Sequence, residues 1–497
     1  MIRRVPEEYA SILTAISAAN PEDTVLLAPN DYQTGVVIPI HVTIASRWIF
    51  SSDSNDILNT TWRVENNRIR ADHCRITFSG LRFLPPTTPY FTAGVFTGIG
   101  SEVHLNHCLV EGEFGSTNNF FGGLFLDANT FYASDCQFIF ADTSGHLPLL
   151  RSDSCTTTFE RCYMSGRTTS GIALVAVGDG LLTINNCVAS VFGEVFFFGG
   201  EFSINRSNFK HFGTRGLFVG YNGTGGTQLI RDVTFDSCQA TTNYGIIRVT
   251  QNTDTVIIAQ SIFRYCFNAQ TSIIEANSTL KLDRCLFSDN ILTCIAANDI
   301  LIDSCRFIAN RGSVFQRFSA SSLEHVFITN SDFIGNSIQF TTRPDHVPEF
   351  SSIIAPNCYW GDPTGPNHPL NPGGLGQTLP AFVNPFPFRT TPVFPDVAAP
   401  DPITQNGVIL PQPFQFSLYP NPTNGSTTIR FSLPPTSPVT GVLFDRTGRQ
   451  VSTFSLDDAN RRNGIYPLSL VNTPSGIYFV RLSTVNTSTT QSLLLVK

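Results

Sequence analysis

The chain has 497 residues, 41% of them hydrophobic and 14% charged, with a formal net charge of −7. That length and apolar content supply sizeable cores and exclude general disorder. Lys occurs only at positions 210, 281 and 497, so the phosphate-neutralising stripe of a nucleic-acid binder is missing, and no apolar run reaches the roughly 18 residues of a membrane-spanning helix.

Residues 5–20, VPEEYASILTAISAAN, place Tyr9, Ile12, Leu13, Ile16 and Ala19 at helical spacing. This predicts an amphipathic helix of about four turns, stopped at Pro21. The run TVLLA, residues 24–28, reads as a first strand. A helix of this kind would cover the open end of a stacked β structure, so residues 5–35 are expected to form an N-terminal cap. The opening MIRRVPEEYASI carries two Arg but no apolar stretch behind them, so no secretory signal peptide is read there.

From residue 40 to 385 one short frame recurs. DRCLFSDN at 283–290 and DSCRFIAN at 303–310 share Asp, Cys, Phe and Asn in the same places. With that Cys as anchor, further copies fall at Cys74, Cys108, Cys136, Cys162, Cys187, Ser207, Val233, Ser261 and Ser331, at spacings of 20 to 34 residues. Three residues before the anchor stand Ala71, Leu105, Ala133, Phe159, Ile184, Ile204, Ile230, Ile258, Leu282, Ile302 and Ile328. Two after it stand Ile76, Val110, Phe138, Met164, Ala189, Phe209, Phe235, Phe263, Phe287, Phe307 and Phe333.

The step of two is a strand step, and the step of three must cross a bend for both residues to face inward. Asn186, Asn330, Ser304 and Asp135 suit such a bend. Units this short bury their apolar faces only by stacking, so the fold predicted is all-β, a right-handed parallel β-helix with an N-terminal capping helix. A second ladder is expected five residues after the anchor, through Cys238, Cys266, Asn290, Asn310 and Asn336. A Pro-rich stretch, 386–412, reads as an extended linker. Residues 413–497 alternate apolar and polar residues between Gly-containing turns, the pattern of a small Ig-like β-sandwich.

Two resemblances attach to these segments. VPEEYASILTAISAANPEDTVLLAPNDY and NCYWGDPTGPNHPLNPGGLGQTL, residues 357–379, resemble the opening and closing segments of bacterial pectate-lyase-like β-helix proteins. That superfamily contains lyases, hydrolases, esterases and non-catalytic proteins, so the resemblance implies architecture across residues 1–385 and little chemistry. The C-terminal region, with Tyr419-Pro420-Asn421-Pro422, Asp445-Arg446-Thr447-Gly448-Arg449 and Gly476-Ile477-Tyr478, resembles the type A sorting domain of the type IX secretion system of Bacteroidota. It implies that residues 413–497 engage the secretion machinery and that the chain is secreted or held at the cell surface.

Asp283 and Asp303 fall in adjacent repeats, about 5 Å apart by rung spacing, a range suited to acid–base work or to Ca²⁺. Asp is also a good bend residue, and Asp72, Asn106, Glu160, Asn185 and Asn205 stand at matching places. Arg284 and Arg306 are read as solvated edge charges. His73 and His107, each before a Cys anchor and expected one rung apart, could face a metal together but lack a third ligand. Asn252-Thr253-Asp254 echoes one polygalacturonase motif, but the partner motifs are missing. Tyr359 and Trp360 are expected to cap the last rung. The twelve Cys are expected to be free buried thiols, because the rung spacing is long for disulfide geometry.

No catalytic, cofactor-binding or metal residue is therefore assigned, and no cofactor is expected. The expected role is a monomeric secreted or surface protein that binds glycan or another surface ligand without catalysis. The alternatives are a lyase or hydrolase of acidic polysaccharide and a structural stalk or adhesin.

Overall fold

The strands ending at these polar bends stack in parallel and in register in a computed structural model of the chain. It describes residues 1–63, 69–84, 96–97, 100–111, 124–126, 130–141, 150–152, 155–167, 173–177, 180–190, 194–198, 201–210, 217–219, 227–240, 245–249, 255–312, 315–317, 326–336, 353–394, 416–419, 423–431, 439–445, 449–456, 465–470, 473–483 and 488–496.

In the first ladder Ile44, Phe78, Leu105, Ala133, Phe159 and Ile184 align rung on rung, and the column continues to Ile328. The second ladder is a 13-stranded parallel sheet. A third runs from Leu124–Leu126 to Phe315–Arg317. Alternate residues of these faces enclose one apolar core, so the body is a parallel β-helix.

The Phe column of the second ladder stacks face to face. Ring centroids from Phe209 through Phe235, Phe263, Phe287, Phe307 and Phe333 lie 5.2, 4.8, 4.7, 4.9 and 5.0 Å apart. Trp360 closes the column, 4.6 Å from Phe333 and fully buried. The rung spacing of about 4.8 Å thus sets the ring spacing.

Each bend turns on one left-handed residue just before the anchor. His107, Asp135, Arg161, Asn186, Arg206, Asp232, Gln260, Arg284, Ser304 and Asn330 all have φ between 47° and 56°. Half of them, Arg161, Arg206, Gln260, Arg284 and Ser304, are not the usual left-handed types, so the stack must hold them. Their N–H groups donate to the neighbouring rung, as His107 to the Ser134 carbonyl at 3.0 Å and Arg284 to that of Asp303 at 3.0 Å.

The anchor side chain completes the bend. Cys305 Sγ accepts from the Cys285 N–H at 3.3 Å and donates to the Asp303 carbonyl at 3.3 Å. Ser331 Oγ makes the same pair, 3.1 Å from Cys305 N and 2.7 Å from the Thr329 carbonyl oxygen. Cys and Ser interchange at the anchor because either atom serves a buried backbone donor. The Asn ladder works alike: Asn310 Oδ1 accepts from Asn290 N at 3.1 Å and from Asn290 Nδ2 at 2.9 Å. The eleven described thiols are all buried.

Four expectations need correction. The first anchor is Leu81, not Cys74: Phe78 pairs with Leu105 and Phe83 with Val110, so the frame around Cys74 matched by chance and Ser79 stands where Asp72 was expected. The capping helix is only Ile12–Ser17, because residues Ile2–Val5 form a strand beside Asp23–Leu27. Ser11 caps that helix, and Leu13, expected on its buried side, is 54% exposed. Finally, the expected linker does not begin at 386. Asn357 and Arg389 backbone N–H groups bond the carbonyls of Pro387 and Cys358, and the buried Asp332 carboxylate accepts from the N–H groups of Val393 at 2.7 Å and Phe394 at 3.2 Å.

In the C-terminal region, Phe416–Tyr419, Ser426–Phe431 and Ile465–Ser469 form one antiparallel sheet. Val439–Asp445, Gln450–Leu456, Gly476–Ser483 and Ser488–Leu495 form another. Ile429, Leu443, Val480, Leu482 and Leu493 share a core of their own, as a sandwich requires.

Candidate functional site

Asp283 and Asp303 do pair in adjacent rungs. Arg284 binds the first carboxylate at 2.8 and 3.0 Å. The second accepts from Thr329 Oγ1 at 2.6 Å, Asn330 Nδ2 at 2.8 Å and Ser304 Oγ at 3.1 Å. Burial pushes the Asp303 carboxyl up, but these three hydrogen bonds outweigh it and hold it below the usual range. Both acids therefore serve the corner, like Asp135 and Glu160 on either side of Arg161.

Arg306 is not a solvated edge charge. Its side chain is 11% exposed, with Nε 3.8 Å from Asp332 and the guanidinium 5.7 Å from the Phe394 ring centroid. His73 and His107 are not one rung apart, because Gly80 occupies the rung position below His107. His107 stacks on Trp48 at 4.2 Å, and a Cβ on Gly80 would come within 2.7 Å of Trp48 Cβ. No group of three or more His, Cys, Asp or Glu gathers for a metal among the described residues. Asn252, Thr253 and Asp254 lie outside the described residues.

The arrangement best suited to a ligand is the outward face of the first ladder, which the motif search missed. Thr43, Thr77, His104, Tyr132, Thr158, Thr183 and Ser203 follow one another in register. At one rung spacing each they span about 30 Å. The column then turns apolar through Leu229, Ile257, Leu301, Phe327 and Ile354, interrupted by Lys281. The signal was present in the text: these residues stand four before each true anchor.

At its N-terminal end this face holds a shallow depression of about 210 Å³ lined by Glu22, Val42, Thr43, Arg75, Thr77 and His104. Arg75 Nη2 bonds both Glu22 carboxylate oxygens, at 3.1 and 3.2 Å, and Arg75 N donates to His41 Nδ1 at 2.8 Å. The rings of His104 and Tyr132 lie 5.7 Å apart. His104 Nε2 is 3.8 Å from Glu102, yet burial holds its imidazole below the usual range. A floor of hydroxyls, two neighbouring rings and a fixed ion pair can hydrogen-bond and stack on a polar, unbranched ligand.

No curated protein sequence matches the chain. Among solved structures it is similar to tailspike protein 3 of bacteriophage CBA120, at 10% identity and a TM-score of 0.40, over 69% of this chain and 59% of that one. It is also similar to the siphovirus 9NA tailspike receptor-binding domain, at 11% identity and a TM-score of 0.23, over 99% of this chain and 98% of that one. The chain thus spans less than two thirds of the CBA120 protein. No helix among the described residues is long and apolar enough to cross a membrane. Residues 417–497 match the family described as the secretion system C-terminal sorting domain, which indicates export through the type IX system to the cell surface or beyond.

Proposed function

We propose that the β-helix is the working part of a surface-exported protein and that it binds polysaccharide, without cleaving it, on the outward face of its first ladder. The observation that carries this reading is the in-register column from Thr43 to Ser203, with His104 and Tyr132 at adjacent rungs. Repeating hydroxyls at fixed spacing suit a repeating polymer, and the two rings offer stacking surface for sugar faces. The acids first suspected of catalysis are committed to corner hydrogen bonds instead.

Binding of the full chain to a polysaccharide panel, together with a reducing-sugar assay, tests the reading. Binding without release of products is expected. Turnover abolished by Asp283→Ala and Asp303→Ala would replace it with the lyase or hydrolase alternative.

A further inference from the structure

Resting on that reading, we propose that the face takes uncharged glycan and turns away polysaccharides that carry carboxylate or sulfate. A site for acidic sugars gains most from a cation free to meet the ligand anion. Arg75 is the cation lining the depression, and one of its terminal nitrogens already lies 3.1 and 3.2 Å from the two oxygens of Glu22. The pair cancels in charge.

Two further groups sharpen the selection. Glu102 sits 3.8 Å from His104 Nε2 and adds a negative charge at the rim. His104 is held in its neutral form by burial, so it offers no compensating cation near neutral pH. Next to them the floor is made of Thr43 and Thr77, with the Tyr132 ring one rung beyond His104, groups that serve sugar hydroxyls and sugar faces. An anionic chain entering here would have to part Arg75 from Glu22 and lie against Glu102, both at a cost.

The test compares dextran, xylan and glucomannan with polygalacturonate and alginate as ligands of the full chain, at about 20 and about 500 mM salt. The expected result is binding to at least one neutral polymer with little salt dependence, and none to the two anionic ones. Glu22→Gln should then raise affinity for the anionic polymers about tenfold at low salt. An unchanged melting temperature shows that this variant folds.

Salt-sensitive binding of the wild-type chain to polygalacturonate or alginate, in preference to the neutral polymers, overturns the inference and leaves the binding role standing. Failure to bind any of the five overturns the binding role and the inference with it.

Discussion

Asp283 stands directly across from Asp303 in neighbouring rungs, yet each carboxylate has its own donors, Arg284 for the first and Thr329, Asn330 and Ser304 for the second. Two acids that share neither a proton nor a ligand are corner fittings. Asp303→Asn is expected to cost under about 1 kcal/mol at pH 7, since the group is exposed. Because the folded carboxyl is held low, its contribution is present above its unfolded value and lost as pH falls through the folded one. Urea unfolding at pH 7 and near pH 3 should therefore show a larger difference between the two proteins at the higher pH.

The anchor position predicts its own substitution rule. Cys305→Ser keeps an acceptor for the Cys285 N–H and should change stability by less than about 1 kcal/mol, as Ser331 in the next rung suggests. Cys305→Ala strands that buried N–H and should cost about 1–3 kcal/mol. Equal stabilities for the two variants in urea would show that the thiol only fills space.

Within the ring column, Phe287 is flanked at 4.7 and 4.9 Å by Phe263 and Phe307. Phe287→Ala opens a cavity in the middle of the stack and should cost about 3–5 kcal/mol, whereas Phe287→Leu should cost less. Thermal melting of both variants checks the order.

Gly80 is held at φ 67°, and a Cβ there would meet Trp48 Cβ at 2.7 Å and Ser46 Oγ at 2.8 Å. Gly80→Ala combines left-handed strain with a clash, so a loss above about 1 kcal/mol is expected. The change should also disturb Trp48, which stacks on His107, and its fluorescence should shift with the loss of stability.

The body of the fold was legible because stacking repeats one constraint many times. From Leu105 and Val110 onward, the apolar frame read from the sequence corresponds to paired columns in the structure. The frame failed at Cys74 because a conspicuous thiol outweighed register, and Leu81 fills the same place without one. The N-terminal strand was hidden because Ile2–Val5 gains its partner only when Asp23–Leu27 folds beside it. Residues 386–394 read as linker because their tether, Asp332, lies some sixty residues earlier in the chain. The candidate face escaped the motif search for a different reason. Its residues vary among Thr, His, Tyr and Ser, and only the frame of the repeat puts them in line.

If a polysaccharide lies along the hydroxyl and ring column of the first ladder, the two rings at adjacent rungs must carry part of its affinity. Calorimetric titration of the full chain and of His104→Ala and Tyr132→Ala with the bound polymer tests it most directly. About a tenfold loss of affinity is expected in each variant, from lost ring stacking, with melting temperatures close to that of the parent and no sugar released. Undiminished binding by both variants, or release of sugar that depends on Asp283 and Asp303, would contradict it.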